Sequence, residues 1–162
     1  GWLKLGKTWY YLKGSGAMAE GWAKVRGSWY YLNPGSGAMA KGWKSVGGTW
    51  YYLNGSGAMK TGWLKLEKTW YYLKGSGAMA EGWQKVSGAW YYLNPGSGSM
   101  KTGWLKLGKT WYYLSGSGAM RTGWQKIGGT WYYFRGSGAM VADEAITIGG
   151  KTYRFSASGA WI

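Results

Sequence analysis

The fold class that the sequence predicts is all-β, a solenoid of stacked β-hairpins of about 20 residues each. Three observations point there. Gly-Trp pairs place an indole at Trp2, Trp22, Trp43, Trp63, Trp83, Trp104 and Trp124, a spacing of 20 or 21 residues. A Trp-Tyr-Tyr triplet follows each pair and begins at Trp9, Trp29, Trp50, Trp70, Trp90, Trp111 and Trp131. A methionine then closes each repeat, at Met18, Met39, Met59, Met79, Met100, Met120 and Met140.

The elements of one repeat follow in order. In WLKLGKTWYYL, Trp2 and Lys4 alternate with Leu3 and Leu5, and Trp9 and Tyr11 alternate with Tyr10 and Leu12. Alternation over two short runs rich in β-formers reads as two strands. Between them stand Gly6-Lys7, Arg26-Gly27, Gly47-Gly48 or Ser87-Gly88, suited to a two-residue hairpin turn. The Gly-Ser-Gly segment that follows is a loop. One such hairpin is marginal in water, so the repeats must bury faces against one another.

A second period lies above the first. One residue is inserted at NPGSG, 33–37 and again 94–98, and residues 1–40 match 62–101 at an offset of 61. Three repeats per block suggests a superhelix with about three hairpins per turn. Residues 1–140 hold seven repeats, and 141–162 a degenerate eighth hairpin that serves as a C-terminal cap. The opening GWLKL enters in mid-pattern and reads as a segment of a longer protein.

Composition narrows the function. The chain has 162 residues with 15 Trp, 15 Tyr and 32 Gly, and neither Cys nor His. It is too aromatic for disorder, has no disulfide framework or thiolate ligands, and holds no apolar run long enough for a transmembrane helix. Its five acids, Glu20, Glu67, Glu81, Asp143 and Glu144, offer no pair for acid–base work and too few ligands for a metal. No catalytic residue, metal or cofactor is expected. A net charge of +15 points to an anionic partner such as a polyanionic polymer. Nucleic acid would suit aromatics plus positive charge but is not the expected partner.

Alternation splits each hairpin into two faces. One carries Leu5, Val25, Val46, Leu66, Val86, Leu107 and Ile127, with the first Tyr of the triplet, and reads as core. The other carries both Trp and the second Tyr, with Lys4, Lys24, Lys65, Lys85, Lys106 and Lys126 beside them. In the tail, Tyr153, Phe155 and Ile148 keep the core positions while Thr152 and Arg154 replace the triplet Trp and second Tyr. The second face thus reads as the site. Two indoles and a phenol around a gap favour a quaternary ammonium group through cation–π attraction and methyl burial, roughly 0.5–2 kcal/mol per ring. A saccharide would call for more Asp, Asn or Glu than the repeats supply.

The pattern GWxKxxGxWYYLxxxGxMxxGW resembles the choline-binding repeat, or cell-wall-binding repeat, of Gram-positive bacteria and their phages. The resemblance covers 1–140 in seven good copies and 141–162 in one poor copy. It implies a left-handed superhelix of hairpins, with choline held between consecutive hairpins by two Trp of one and a Tyr of the next, often beside a Met. The implied partner is phosphocholine on teichoic and lipoteichoic acids, and the implied location is extracellular, on the cell wall. Carried over, the sites are Trp2, Trp9 and Tyr31; Trp22, Trp29 and Tyr52; Trp43, Trp50 and Tyr72; Trp63, Trp70 and Tyr92; Trp83, Trp90 and Tyr113; and Trp104, Trp111 and Tyr133. Met39, Met59, Met79, Met100 and Met120 would add a further wall. The choice of the second Tyr rests on the face reading. A seventh site at Trp124 and Trp131 is expected to be absent or weak, because position 154 is Arg. The chain departs from the family where acids usually follow the triplet, with Lys13, Lys74, Ser115 and Arg135 there instead. Related repeats in glucan-binding proteins and clostridial toxins make a cell-surface polysaccharide the alternative partner. A module of this kind usually anchors a separate domain such as a murein hydrolase, and its last hairpin offers a surface for a dimer.

Overall fold

The computed structural model describes residues 1–162, folded as strands, turns and loops with no helix. Sixteen strands pair into eight antiparallel hairpins, each a two-stranded sheet. Hairpin 1 is β1 (Trp2–Leu5) with β2 (Thr8–Tyr11), hairpin 2 is β3 (Gly21–Val25) with β4 (Ser28–Leu32), hairpin 3 is β5 (Gly42–Val46) with β6 (Thr49–Leu53), and hairpin 4 is β7 (Gly62–Leu66) with β8 (Thr69–Leu73). Hairpin 5 is β9 (Gly82–Val86) with β10 (Ala89–Leu93), hairpin 6 is β11 (Gly103–Leu107) with β12 (Thr110–Leu114), hairpin 7 is β13 (Gly123–Ile127) with β14 (Thr130–Phe134), and hairpin 8 is β15 (Glu144–Ile148) with β16 (Lys151–Phe155). They fall into two compact units, Gly1–Ala80 and Glu81–Ile162.

The turns follow from the residues. Arg26 and Gly27 have φ of 48° and 85°, and Gly47 and Gly48 have 56° and 78°. Two positive φ values in a row match the twist of the flanking strands. Register bears out the alternation: Trp22 pairs with Tyr31 and Lys24 with Trp29 on one face, while Ala23 pairs with Tyr30 and Val25 with Ser28 on the other.

Within each compact unit, backbone hydrogen bonds tie one hairpin to the next through the methionines. Each loop folds back so that Met bridges the end of its own second strand, as Met59 does to Leu53. In the N-terminal unit the Met39, Met59 and Met79 amides donate to the carbonyls of Trp9, Trp29 and Trp50 at 2.8, 2.7 and 2.8 Å. In the C-terminal unit Met120 and Met140 donate to Trp90 and Trp111, both at 2.8 Å. The Met side chain then runs across the following loop. A Cβ built on Gly57 would stand 2.3 Å from Met39 Sδ, and Gly57 also has φ of 85°. Any side chain there is both strained and blocked.

The core lies between hairpins. Leu32, Leu53, Leu73, Leu93, Leu114 and Phe134 are fully buried, each burial contributing roughly 1.5–3 kcal/mol. One cluster joins Tyr31 and Trp22 of hairpin 2 to Val46, Leu53 and Met59 of hairpin 3. Another joins Tyr92 and Trp83 to Leu105, Leu107, Leu114 and Tyr112. The division into a core face and a site face therefore needs correction. The Trp-bearing face of one hairpin packs on the aliphatic face of the next, so both faces enter the core. Tyr31 and Tyr92, expected on an outer face, are buried.

Candidate aromatic cages

Stacking one face on the other leaves a row of aromatic cavities. One of about 250 Å³ is walled by Trp2 and Trp9 of hairpin 1, Tyr30 and Met39 of hairpin 2, and Ser56 from the loop after hairpin 3. A second, of about 290 Å³, is walled by Trp22, Trp29, Tyr51, Met59, Gly75 and Ser76. A third, of about 310 Å³ in the C-terminal unit, is walled by Trp83, Trp90, Tyr112, Met120, Gly136 and Ser137. Three successive repeats thus contribute to each.

The ring geometry is the same in all three. Trp22 and Trp29 meet at 89° with centroids 6.4 Å apart, and Tyr51 stands 4.8 Å from Trp22. Trp2 with Trp9 and Trp83 with Trp90 meet at 90° and 6.4 Å, with Tyr30 and Tyr112 at 4.7 and 5.1 Å from the inner indole. Two indoles form a corner, the phenol closes a third side, and the methionine a fourth. The outer indole stays open to solvent, with Trp29 40% exposed.

The Trp pairs expected in these places are therefore on the walls, but the expected phenols are not. The cavities are lined by the first Tyr of the triplet, Tyr30, Tyr51 or Tyr112, and not by Tyr31, Tyr52 or Tyr113. The second Tyr lies opposite the inner Trp of its own hairpin: Trp22–Tyr31 at 5.1 Å, Trp43–Tyr52 at 5.3 Å, Trp63–Tyr72 at 5.0 Å, Trp83–Tyr92 at 5.2 Å, Trp104–Tyr113 at 5.1 Å and Trp124–Tyr133 at 5.3 Å. The reason is the stacking. A ring reaching across from the next hairpin must come from that hairpin's aliphatic face, which carries the first Tyr. Trp43 meets Tyr71 at 5.1 Å and Trp104 meets Tyr132 at 5.0 Å in the same way.

A cation sits on the outer indole of most repeats. Nζ of Lys4, Lys24, Lys65, Lys85, Lys106 and Lys126 lies 5.4–6.0 Å from the ring centroid of Trp9, Trp29, Trp70, Trp90, Trp111 and Trp131. Hairpin 3 differs: Ser45 stands opposite Trp50, and Lys44 on the other face lies 5.4 Å over Tyr31 of the preceding hairpin. The Ser-Gly rim was missed in the sequence. Its signal is the loop recurring two repeats after each Trp pair, at Ser56, Ser76 and Ser137. No carboxylate lines any of the three cavities, so they suit a cation that has no N–H to donate.

A family model described as the choline-binding repeat matches residues 1–42, 40–81, 80–122 and 121–162. The chain belongs to the choline-binding repeat family. No curated protein sequence matches it. Among solved structures it is similar to CbpJ from Streptococcus pneumoniae TIGR4, at 43% identity and a TM-score of 0.92. It is also similar to choline binding protein F from the same species, at 42% identity and a TM-score of 0.89. Each match covers 100% of this chain and 57% of the other, so the chain spans little more than half the length of these relatives. A multimodular pneumococcal cell wall endolysin from phage Cp-1, solved in complex with choline, matches at 36% identity and a TM-score of 0.54 over 76% of this chain and 37% of its own. The choline-binding repeats here are thus built as eight hairpins.

Proposed function

We propose that the chain is a cell-wall attachment module that binds the choline of phosphocholine-decorated teichoic and lipoteichoic acids from outside the cell. The observation that carries this reading is the repeated right-angled pair of indoles closed by a phenol and a methionine. Its volume, about 250–310 Å³, lies at the low end for ligand pockets and suits a small headgroup. Trimethylammonium fits such a box because it offers methyl groups and diffuse charge, and needs no acceptor. On this reading the Lys over the outer indole in six of the repeats meets the phosphate ester of the same headgroup, which accounts for a +15 chain attracting a cationic ligand. Several cages in a row give avidity on a polymer that repeats the headgroup. The endolysin solved with choline is a relative consistent with this reading.

Titration of intrinsic tryptophan fluorescence with choline tests it. A saturable change at millimolar choline, and retention on a tertiary-amine resin with elution by choline, are the expected results. A response to glucan oligomers but none to choline would overturn the reading in favour of polysaccharide.

A further inference from the structure

Hairpin 8 lacks the two Trp and the second Tyr of its predecessors, so the sequence predicts an absent or weak site where it meets hairpin 7. That expectation rested on Arg154 standing in the place of the second Tyr. The first Tyr is the ring that reaches across, and hairpin 8 has it. Tyr153 lies 4.9 Å from Trp124 at 71°, while Trp124 and Trp131 form the usual corner at 6.3 Å and 86°.

The fourth wall is different. Where the other repeats have Met, this one has Trp161. Its amide donates to the Trp131 carbonyl at 2.9 Å, as Met59 does to Trp29, and it bridges Phe155 as Met59 bridges Leu53. The indole stands 5.8 Å from Trp124 and 5.9 Å from Tyr153, and is 48% exposed. Lys126 lies over the outer indole, its Nζ 5.9 Å from the Trp131 ring centroid.

We infer that Trp124, Trp131, Tyr153 and Trp161 form a further site for a methylated ammonium ion, closed by three indoles and a phenol where the other cages have two indoles, a phenol and a thioether. This rests on the proposed choline reading. A thioether contributes polarisable contact, but an indole face adds cation–π attraction for the charged headgroup. The site therefore prefers choline over its neutral tert-butyl isostere more strongly than the Met-walled cages do, by roughly tenfold.

Fluorine NMR of the whole chain carrying fluorotryptophan tests this, with the Trp161 signal assigned by its loss in W161M. Trp161→Met restores the residue found in the other repeats, so folding is retained. Choline chloride and the neutral isostere are the probes. The expected result is a saturable choline shift of the Trp161 signal and a roughly tenfold weaker response of Trp124 and Trp131 in W161M, with Trp22 and Trp29 unaffected. A Trp161 signal that stays still while Trp22 and Trp29 respond would overturn this site and leave the choline reading standing. Unchanged choline binding at Trp124 and Trp131 in W161M would likewise overturn it. Silence of every indole would overturn both.

Discussion

Hairpins 2 and 3 are neighbours that share their Trp and Tyr positions, but their first-strand lysines stand one position apart. Hairpin 2 reads Trp22-Ala23-Lys24-Val25, and hairpin 3 reads Trp43-Lys44-Ser45-Val46. In a strand, moving a residue by one position moves it to the opposite face. Lys24 accordingly covers Trp29, whereas Lys44 leaves Trp50 facing Ser45 and lies instead over Tyr31. Trp43 still reaches Tyr52 and Tyr71 at 5.3 and 5.1 Å, as Trp22 reaches Tyr31 and Tyr51. The ring scaffold is therefore independent of the lysine, and the lysine acts on the outer indole alone.

The strongest way to break that separation is to remove the inner indole. Trp22→Ala deletes the contacts to both Tyr31 and Tyr51 and should cost about 3 kcal/mol, read as a lower denaturation midpoint, along with the second cage. Trp43→Ala should cost the same. A Trp43→Ala loss under about 1 kcal/mol would mean that the lysine exchange does alter the packing.

Next in size is the glycine beneath the methionine. Gly37 and Gly57 both have positive φ and no room for a Cβ, since Met18 Sδ and Met39 Sδ would stand at 2.1 and 2.3 Å. Alanine at either should cost roughly 2 kcal/mol in thermal melts, and Gly48→Ala, strained in φ but open, about 1 kcal/mol. Equal losses at Gly48 and Gly57 would remove the methionine from the explanation.

The smallest effect belongs to the lysines. Lys24→Met should lower stability by about 0.5 kcal/mol, and Ser45→Lys should raise it by a similar amount, both read as shifts of the denaturation midpoint. On the proposed reading, Ser45→Lys should also tighten phosphocholine more than choline at Trp50, measured by titration at low salt. An equal effect on the two ligands would show that the cation does not meet the phosphate.

The hairpins, their turns and their register were legible because period two and the Gly-rich turns act within a single repeat. The Trp pairs were legible for the same reason. The partner phenol was not, since alternation separates Tyr51 from Tyr52 without saying which face the preceding hairpin will cover. That depends on stacking, which Met59 helps set by donating its amide hydrogen bond to the Trp29 carbonyl. Trp161 was overlooked although it follows Phe155 by the interval that separates Met59 from Leu53, because an indole does not read as a replacement for a thioether. The exchange at Ser45 was visible as a gap in the lysine series, but Lys44 over Tyr31 required the neighbouring hairpin.

The backbone hydrogen bond from each Met, or from Trp161, to the Trp carbonyl of the preceding hairpin also bears on how such a chain yields to mechanical load. Within each compact unit, adjoining repeats share that one backbone hydrogen bond besides the connecting chain and their side-chain packing, so tension applied along the chain would peel hairpins from an end in sequence. Each detachment would release a length of about 20 residues and open the cages that share a wall with the lost repeat, while cages farther along would stay closed. A chain built this way would lengthen in steps under pull and re-form when the strain is relieved.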